Sequence, residues 1–320
     1  TELKEMPNVI VKNRAQIFGY YDHNMLVMSE RINDHLPKSK KYSPKQRLWY
    51  IRSKEVVISS GSIERPLVFG NNDTPGVVLS SAAKEYLKVY GVLVGRNPLI
   101  FTNNDSAYET AIEFKKNGIW PIVLDTRSNP DSEIIDEAKR MGITIKFSYV
   151  VIAAKGYKKV KSAEIAKISD DKKDLGTIEH INCDCICVSG FWTPTIHLAS
   201  QSGNKTKFNK EIDAFVPSQP KQKETTIGSA NGVFTLEETL KTSFETGYEL
   251  SKKITNNDNK ISVPQVSEKK STQHDKFWCV PLPKGKKYKR FLDFQNDVAV
   301  TDIELALREG YRSIEHVKRY

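Results

Sequence analysis

The chain has 320 residues, 28% of them charged and 38% hydrophobic, with a formal net charge of +10. That apolar content over this length can bury a sizeable core, which excludes a wholly disordered chain. Four cysteines in so long a chain exclude a disulfide scaffold, and no run reaches the roughly eighteen apolar residues of a membrane span.

Residues 9–11, 16–20 and 25–29 read as short strands, with turns at Gly19 and at Asp22-His23-Asn24. A polar loop spans 33–46. The β-branched run 56–58 ends in Ser59-Ser60-Gly61-Ser62, small residues that leave room for close backbone approach. A dense turn cluster at 71–76 precedes a helix over 81–90, closed by Gly91. From Pro98 the pattern is β-α-β. It runs through strand 99–101, turn 103–106, helix 107–117, strand 122–124 with Asp125 at its carboxyl end, helix 132–140 and strand 143–145. This spacing predicts a doubly wound, mostly parallel sheet. Segments 160–167 and 178–188 are expected as antiparallel strands around a polar turn, and 191–224 is polar and weakly patterned. A glycine-bearing turn at 227–232 leads into a helix over 236–253. Residues 256–271 read as a linker, and two short helices surround Gly310.

The charge is uneven. Residues 268–290 carry eight Lys and Arg against two acids, a net +6, interrupted by Pro281, Pro283 and Gly285. Such a segment offers no recognition helix, so nucleic acid is not expected as a partner. It reads instead as a linker or as an inter-domain or subunit contact.

Four features bear on chemistry. The turn FTNNDSA (101–107) stands where a nucleotide-binding sheet keeps its glycine-rich phosphate turn. Asparagine tolerates left-handed backbone, but its side chain obstructs the approach of a phosphate. The turn therefore reads as degenerate, with Asp105 or Ser106 capping the helix, and Asp125, placed where a strand-end acid would hold a ribose, shares that reading. Cys183, Cys185 and Cys187 alternate and are expected on one strand face as buried thiols, which suits a reducing cytoplasm. No metal site is expected. The six histidines do not cluster and no triad or carboxylate pair stands out, so no catalytic residue is assigned. The turn 228–232 ahead of a helix is either a cofactor contact at a helix N-terminus or a tight turn packed on the sheet.

Several stretches together resemble the alpha subunit of heterotetrameric sarcosine oxidase. They are YYDHN (20–24), PKQRLWYIRSKEVVISSGSIERPLVFGNNDTPGVVLSSA (44–82), FTNNDSAYETA (101–111), CVSGFWTPTIHLASQSG (187–203), SANGVF (229–234) and FLDFQNDVAVTDIELALREGYRSIEHVKRY (291–320). The resemblance runs over essentially the whole chain. It implies an α/β, two-dinucleotide-binding fold of the glutathione-reductase type. That fold has a Rossmann-type parallel sheet and antiparallel crossover strands, and it is expected to be incomplete at both ends. It places 1–85 in a first, NAD-binding domain, 86–200 in a second, degenerate Rossmann-type domain and 201–262 in a return to the first. Residues 263–320 become a basic linker and small helical module leading to a folate-binding region.

The enzyme resembled oxidises sarcosine to glycine with oxygen. It gives hydrogen peroxide and either formaldehyde or 5,10-methylenetetrahydrofolate. The resemblance implies NAD on this region, FAD and FMN in the assembled enzyme, tetrahydrofolate beyond the present residues, and beta, gamma and delta subunits as partners in the cytoplasm. Its NAD contacts fall by position at Ile17, Ser229, Ala230 and Thr235, with Ser60 and Gly61 as a fold-level addition. Relatives carry iron–sulfur cysteines where this chain has Phe294-Gln295-Asn296-Asp297, so no cluster is expected. The region is expected to be a non-catalytic part of the oxidase, inactive alone. The rival reading is an opine-oxidase-like, FAD-dependent amine dehydrogenase subunit.

Overall fold

Alternating strand runs and glycine stops give many short elements. A computed structural model of the chain describes residues 2–36, 42–255, 262–266 and 274–320. The chain forms two compact units, Thr1–Ile63 with Thr193–Lys270 and Glu64–Trp192 with Ser271–Tyr320. The first unit opens with helix α1 (Glu2–Glu5). Strands β1 (Ala15–Tyr21), β2 (Met25–Arg31) and β3 (Gln46–Arg52) then make an antiparallel meander. β3 was not foreseen. The expected strand at 9–11 is coil, because Ile10 is 84% exposed and has no face to bury. Residues 37–41 of the expected loop lie outside the described residues. β4 (Val56–Ile58) follows, and β5 (Ser62–Glu64) leads into the second unit.

In the second unit the β-α-β pattern becomes β6 (Val77–Leu79), α2 (Ser80–Tyr90), β7 (Pro98–Thr102), α3 (Ser106–Lys116), β8 (Ile122–Asp125), α4 (Glu133–Arg140) and β9 (Thr144–Phe147). Strands β10 (Tyr149–Lys155), β11 (Ser162–Lys167) and β12 (Glu179–Asn182) form an antiparallel sheet. β13 (Cys185–Ser189) then returns to the parallel sheet, whose order is β6-β13-β7-β8-β9. Because β6 pairs with β13, residues 64–85 pack in the second unit, not in the first as the sequence suggested. Side chains alternate across the parallel sheet. Leu99, Phe101, Leu124, Ile186 and Val188 share one core with the β10–β12 sheet, while Ile100, Val123, Cys185 and Cys187 share another with α2, α3 and α4.

This layering corrects the cysteine expectation. Segment 178–188 is not one strand: it breaks at Cys183 and Asp184, where the Asp184 carboxylate accepts the Arg96 and Asn97 amides at 2.8 Å. Cys183 therefore joins one core and Cys185 and Cys187 the other. All four thiols are free.

The chain passes β14 (Trp192–Pro194) and continues in the first unit as α5 (His197–Gln201), a hairpin of β15 (Lys205–Asn209) and β16 (Ala214–Gln219), β17 (Glu224–Thr226) and α6 (Leu236–Thr255). The stretch that looked unpatterned thus holds several elements. Most of the expected linker, 256–261 and 267–271, lies outside the described residues. The basic run is described from His274 onward, and there it is not a solvated crossing: Phe277 and Val280 are buried in the second unit. The chain ends in a hairpin of β18 (Phe291–Asp293) and β19 (Val298–Ala299), then α7 (Val300–Arg308) and α8 (Ile314–Val317). Asn72 fastens this end by donating to the Phe291 carbonyl and accepting its amide, both at 2.9 Å. Among the described residues no helix is long and apolar enough to cross a membrane.

Candidate dinucleotide site

The first unit brings two turns together at the carboxyl ends of parallel strands. β4 and β17 pair in register, Val56 with Glu224, Val57 with Thr225 and Ile58 with Thr226. The Ile227 amide extends the ladder to the Ile58 carbonyl at 3.0 Å. Directly after these ends come the Ser59-Ser60-Gly61 turn and a single 3-10 turn, Gly228–Asn231. Gly61 has φ +78°, and a Cβ there would meet nothing nearer than the Ser229 Oγ at 4.0 Å. The two turns therefore face each other with glycine backbone and a serine hydroxyl. Ser60 is exposed, and its hydroxyl donates to the Thr195 carbonyl at 2.8 Å while the Thr195 amide donates to the Gly61 carbonyl at 2.9 Å. This side-chain and backbone clasp fixes the first turn.

The second turn leads into α6. Thr235 is its cap: the Glu238 amide donates to the Thr235 Oγ1 at 3.4 Å, and that hydroxyl donates to the Glu238 carboxylate at 3.1 Å. Glu237 and Glu238 already complement the start of the helix dipole. Gly232 holds φ +80°, and a Cβ there would lie 2.8 Å from the Ile212 Cδ1.

Below the turns the strands are anchored by buried polar groups. The Tyr20 hydroxyl donates to the Asn24 Oδ1 at 2.9 Å, and the Asn24 amide donates to the carbonyls of Lys54 and Lys223. Asn204 donates to Glu224 at 2.7 Å. Burial, followed by the nearby Glu224 charge, pushes the Tyr20 phenol above its ordinary range. These contacts hold the start of β17 to the β1–β2 turn.

Of the residues singled out in the sequence, Ser60, Gly61, Ser229 and Ala230 lie on the two facing turns, Ala230 fully buried. Thr235 is drawn into the helix cap. Ile17 lies beside a β-bulge in β1 and packs on the small core of Tyr20, Leu26, Ile58 and Ala199. Two residues escaped the sequence reading. Thr195 holds the first turn, and Thr226 ends β17 with a buried Oγ1 that has no hydrogen-bond partner among the described residues. Thr226 was legible as the last strand residue before Ile227-Gly228; Thr195 carried no local signal.

The second unit treats its own strand ends differently. The chain runs outward through β7, β8 and β9 and returns as β13 on the other side of β7, and an open α/β sheet offers a ligand crevice at such a point. Here the crevice is filled. The Asn104 amide donates to the Ser189 carbonyl and hydroxyl at 3.2 and 3.1 Å, and its Oδ1 accepts the Ser106 amide and hydroxyl at 2.9 and 2.6 Å. Asp105 stands at the N-cap position of α3 as expected, but its side chain makes no cap bond, and the Asn104 side chain supplies one instead. Asp125, the possible ribose acid, is wholly buried and bound to the Arg127 guanidinium at 2.7 Å and the Tyr108 hydroxyl at 2.8 Å. Arg127 also pairs with Asp105 at 2.7 Å. The Glu64 carboxylate accepts the Ser81 amide at 2.7 Å at the start of α2; burial raises it above the usual carboxylate range despite bonds from Ser81 and Ser189. Among the described residues no group of His, Cys, Asp and Glu forms a metal site.

Comparison with known proteins finds relatives along the whole chain. Residues 287–320 match the family model described as the sarcosine oxidase A3 domain. The whole chain is 34% identical to the sarcosine oxidase alpha subunit of Rhizobium meliloti (strain 1021), covering 100% of the chain and 31% of that protein. It is 32% identical to the alpha subunit from Corynebacterium sp. (strain U-96), covering 96% of the chain and 32% of that protein. The chain spans about a third of the length of these curated relatives. Among solved structures, L-proline dehydrogenase from P. horikoshii superposes with a TM-score of 0.51 at 19% identity, over 95% of this chain and 54% of that one. The HOCl-induced flavoprotein disulfide reductase RclA from Escherichia coli gives 0.51 at 14% identity, over 79% and 52%. The expected α/β dinucleotide-binding-type fold is thus present, and the chain resembles, along its full length, about one third of a sarcosine oxidase alpha subunit.

Proposed function

We propose that this region forms part of an NAD-binding site in the alpha subunit of a sarcosine oxidase, an oxidoreductase component that holds a dinucleotide and takes no chemical step with its own side chains. The observation that carries the reading is the pairing of β4 with β17, which sets the 59–61 and 228–232 turns face to face. The residues fit such a group. Gly61 leaves backbone open, Ser60 and Ser229 present hydroxyls, and the Thr226 hydroxyl is buried without a partner among the described residues. Hydroxyls and backbone suit ribose and pyrophosphate oxygens better than they suit hydride or proton transfer.

On this reading Ser60, Gly61 and Ser229 line the dinucleotide, while Ala230, wholly buried, packs beneath the second turn and makes no contact of its own; Ile17 supports the floor and Thr235 fixes the helix behind it. Bound NAD would supply a nicotinamide ring able to exchange hydride. FAD, FMN, tetrahydrofolate and the beta, gamma and delta subunits belong to the assembled enzyme, where sarcosine, oxygen and peroxide are handled. The test is NAD content of the complete, assembled enzyme after Gly61→Val. A β-branched residue at φ +78° costs about 1–2 kcal/mol and fills the space before Ser229. Bound NAD should fall at least about tenfold. Full NAD retention in a folded G61V enzyme would overturn the reading.

A further inference from the structure

The second unit carries a nucleotide-type crevice whose space is taken by the chain itself. Residues 274–280 cross the carboxyl ends of β7 and β8. The Asp275 amide donates to the Asn103 carbonyl at 2.9 Å, and the Asn103 side-chain amide donates back to the carbonyls of Asp275 and Phe277 at 2.8 and 3.2 Å. Asn103 is wholly buried by this arrangement. A glycine at this place would make none of the side-chain bonds, so the asparagine does more than fill a degenerate turn.

The segment is also anchored on both flanks. His274 stacks on Phe191 with ring centroids 4.0 Å apart and planes 7° from parallel. The Arg65 guanidinium lies 3.9 Å over the Trp278 ring. Val68 clasps the far end, its amide donating to the Trp278 carbonyl and its carbonyl accepting the Val280 amide, both at 2.8 Å. Phe277 and Val280 are buried in the core that contains Leu99 and Phe101. The acid of the segment faces the strand ends, while Lys276 is exposed. The Asp275 carboxylate meets the Lys172 ammonium at 3.0 Å and the Thr126 hydroxyl at 3.3 Å, just past β8. An anionic group held by a cation and a hydroxyl at strand ends is what a bound phosphate would present.

We propose that residues 274–280 are a permanent internal occupant of this crevice, with Asp275 in the place of a ligand's anionic group, and that they fasten the 287–320 module to the second unit. The crevice is therefore a structural joint and takes no nucleotide. This inference is independent of the reading of the first unit.

Hydrogen exchange of the complete alpha subunit in its assembled enzyme tests it. The Asp275 and Val280 amides should be protected at least about 100-fold relative to open chain, and saturating NADH should leave them unchanged. Asn103→Ala should speed exchange at both by at least about tenfold, while Leu99 and Val123 in the sheet keep their protection. If N103A fails to fold, Asp275→Asn keeps the backbone bonds and should produce a smaller acceleration confined to the segment. Open-chain exchange at Asp275 and Val280 in the native protein, acceleration there on adding NADH, or a folded N103A indistinguishable from native would each overturn the proposal. Gly61→Val reports on the other unit and should not move these amides.

Discussion

The two units end their parallel strands in opposite ways. In the first, two strand ends carry glycine and serine turns that face each other with little between them. In the second, the same topological position is packed with asparagine, a buried Asp–Arg–Asp cluster and a returning segment of chain. A Rossmann-like architecture thus leaves the ligand question open, and side-chain size and charge at the turn decide it. Glycine leaves room for a ligand's oxygens; asparagine supplies its own amide and carbonyl and so closes the site.

The closed strand ends of the second unit are most vulnerable at Arg127. Its guanidinium, about one-tenth exposed, joins Asp105 to the wholly buried Asp125. Arg127→Leu leaves two buried carboxylates without their cation and should cost about 3–5 kcal/mol. Denaturant unfolding of the assembled alpha subunit would report this as early loss of the second unit's transition, with the first unit's turns intact. A loss below about 1 kcal/mol would mean the cluster does not hold the crevice.

Gly70→Ala probes the joint to the C-terminal module. A Cβ there would come 2.6 Å from the Tyr288 Cβ and 2.8 Å from the Ile152 carbonyl oxygen. Displacing Tyr288 should cost about 1–3 kcal/mol and expose 287–320 to protease before the sheet unfolds.

Acid sharpens the same joint. Glu164 is buried against Lys155 at 3.0 Å, and the Tyr288 hydroxyl donates to it at 2.7 Å. Burial pushes the carboxyl up, but the bonds from Tyr288 and Lys155 outweigh it and hold Glu164 below its ordinary 4.5. A carboxyl lowered by folding stabilises at pH above that ordinary value and loses its contribution as pH falls through the lower, folded value. Docking of the module should therefore be constant at neutral pH and weaken only in acid below 4.5. Tyr288→Phe should reduce that acid dependence, as read by protease cleavage against pH.

The smallest expected effect is chemical. Burial, with the neighbouring Cys185 and Asp184, pushes the Cys183 thiol up to about 12. Cys183, Cys185 and Cys187 should stay unlabelled by thiol reagents in the native enzyme at neutral pH and react only on unfolding.

Much of the second unit was legible because its helices and strands follow strong periods and end at Gly91, Gly118 and Gly142. That asparagine stands in place of glycine at 103–104 is readable from residue type alone. What closes that turn is not, since His274 to Val280 lies about 170 residues away and its basic, proline-broken context suggested a linker. The same limit applies to Cys183, whose side of the sheet is set by the Asp184 break. In the first unit the turns at 59–62 and 227–232 were visible, but the strand β17 was not, and only its pairing with β4 brings Gly61 to Ser229.

If the first unit holds the dinucleotide and the second holds its own chain, substitutions in the two units must separate. The most direct measurement is NAD bound per alpha subunit in the assembled enzyme for native, Gly61→Val and Asp275→Asn proteins. One NAD per native subunit, loss in G61V and full retention in D275N are expected. Retention in G61V with loss in D275N would place the dinucleotide in the second unit and contradict this assignment.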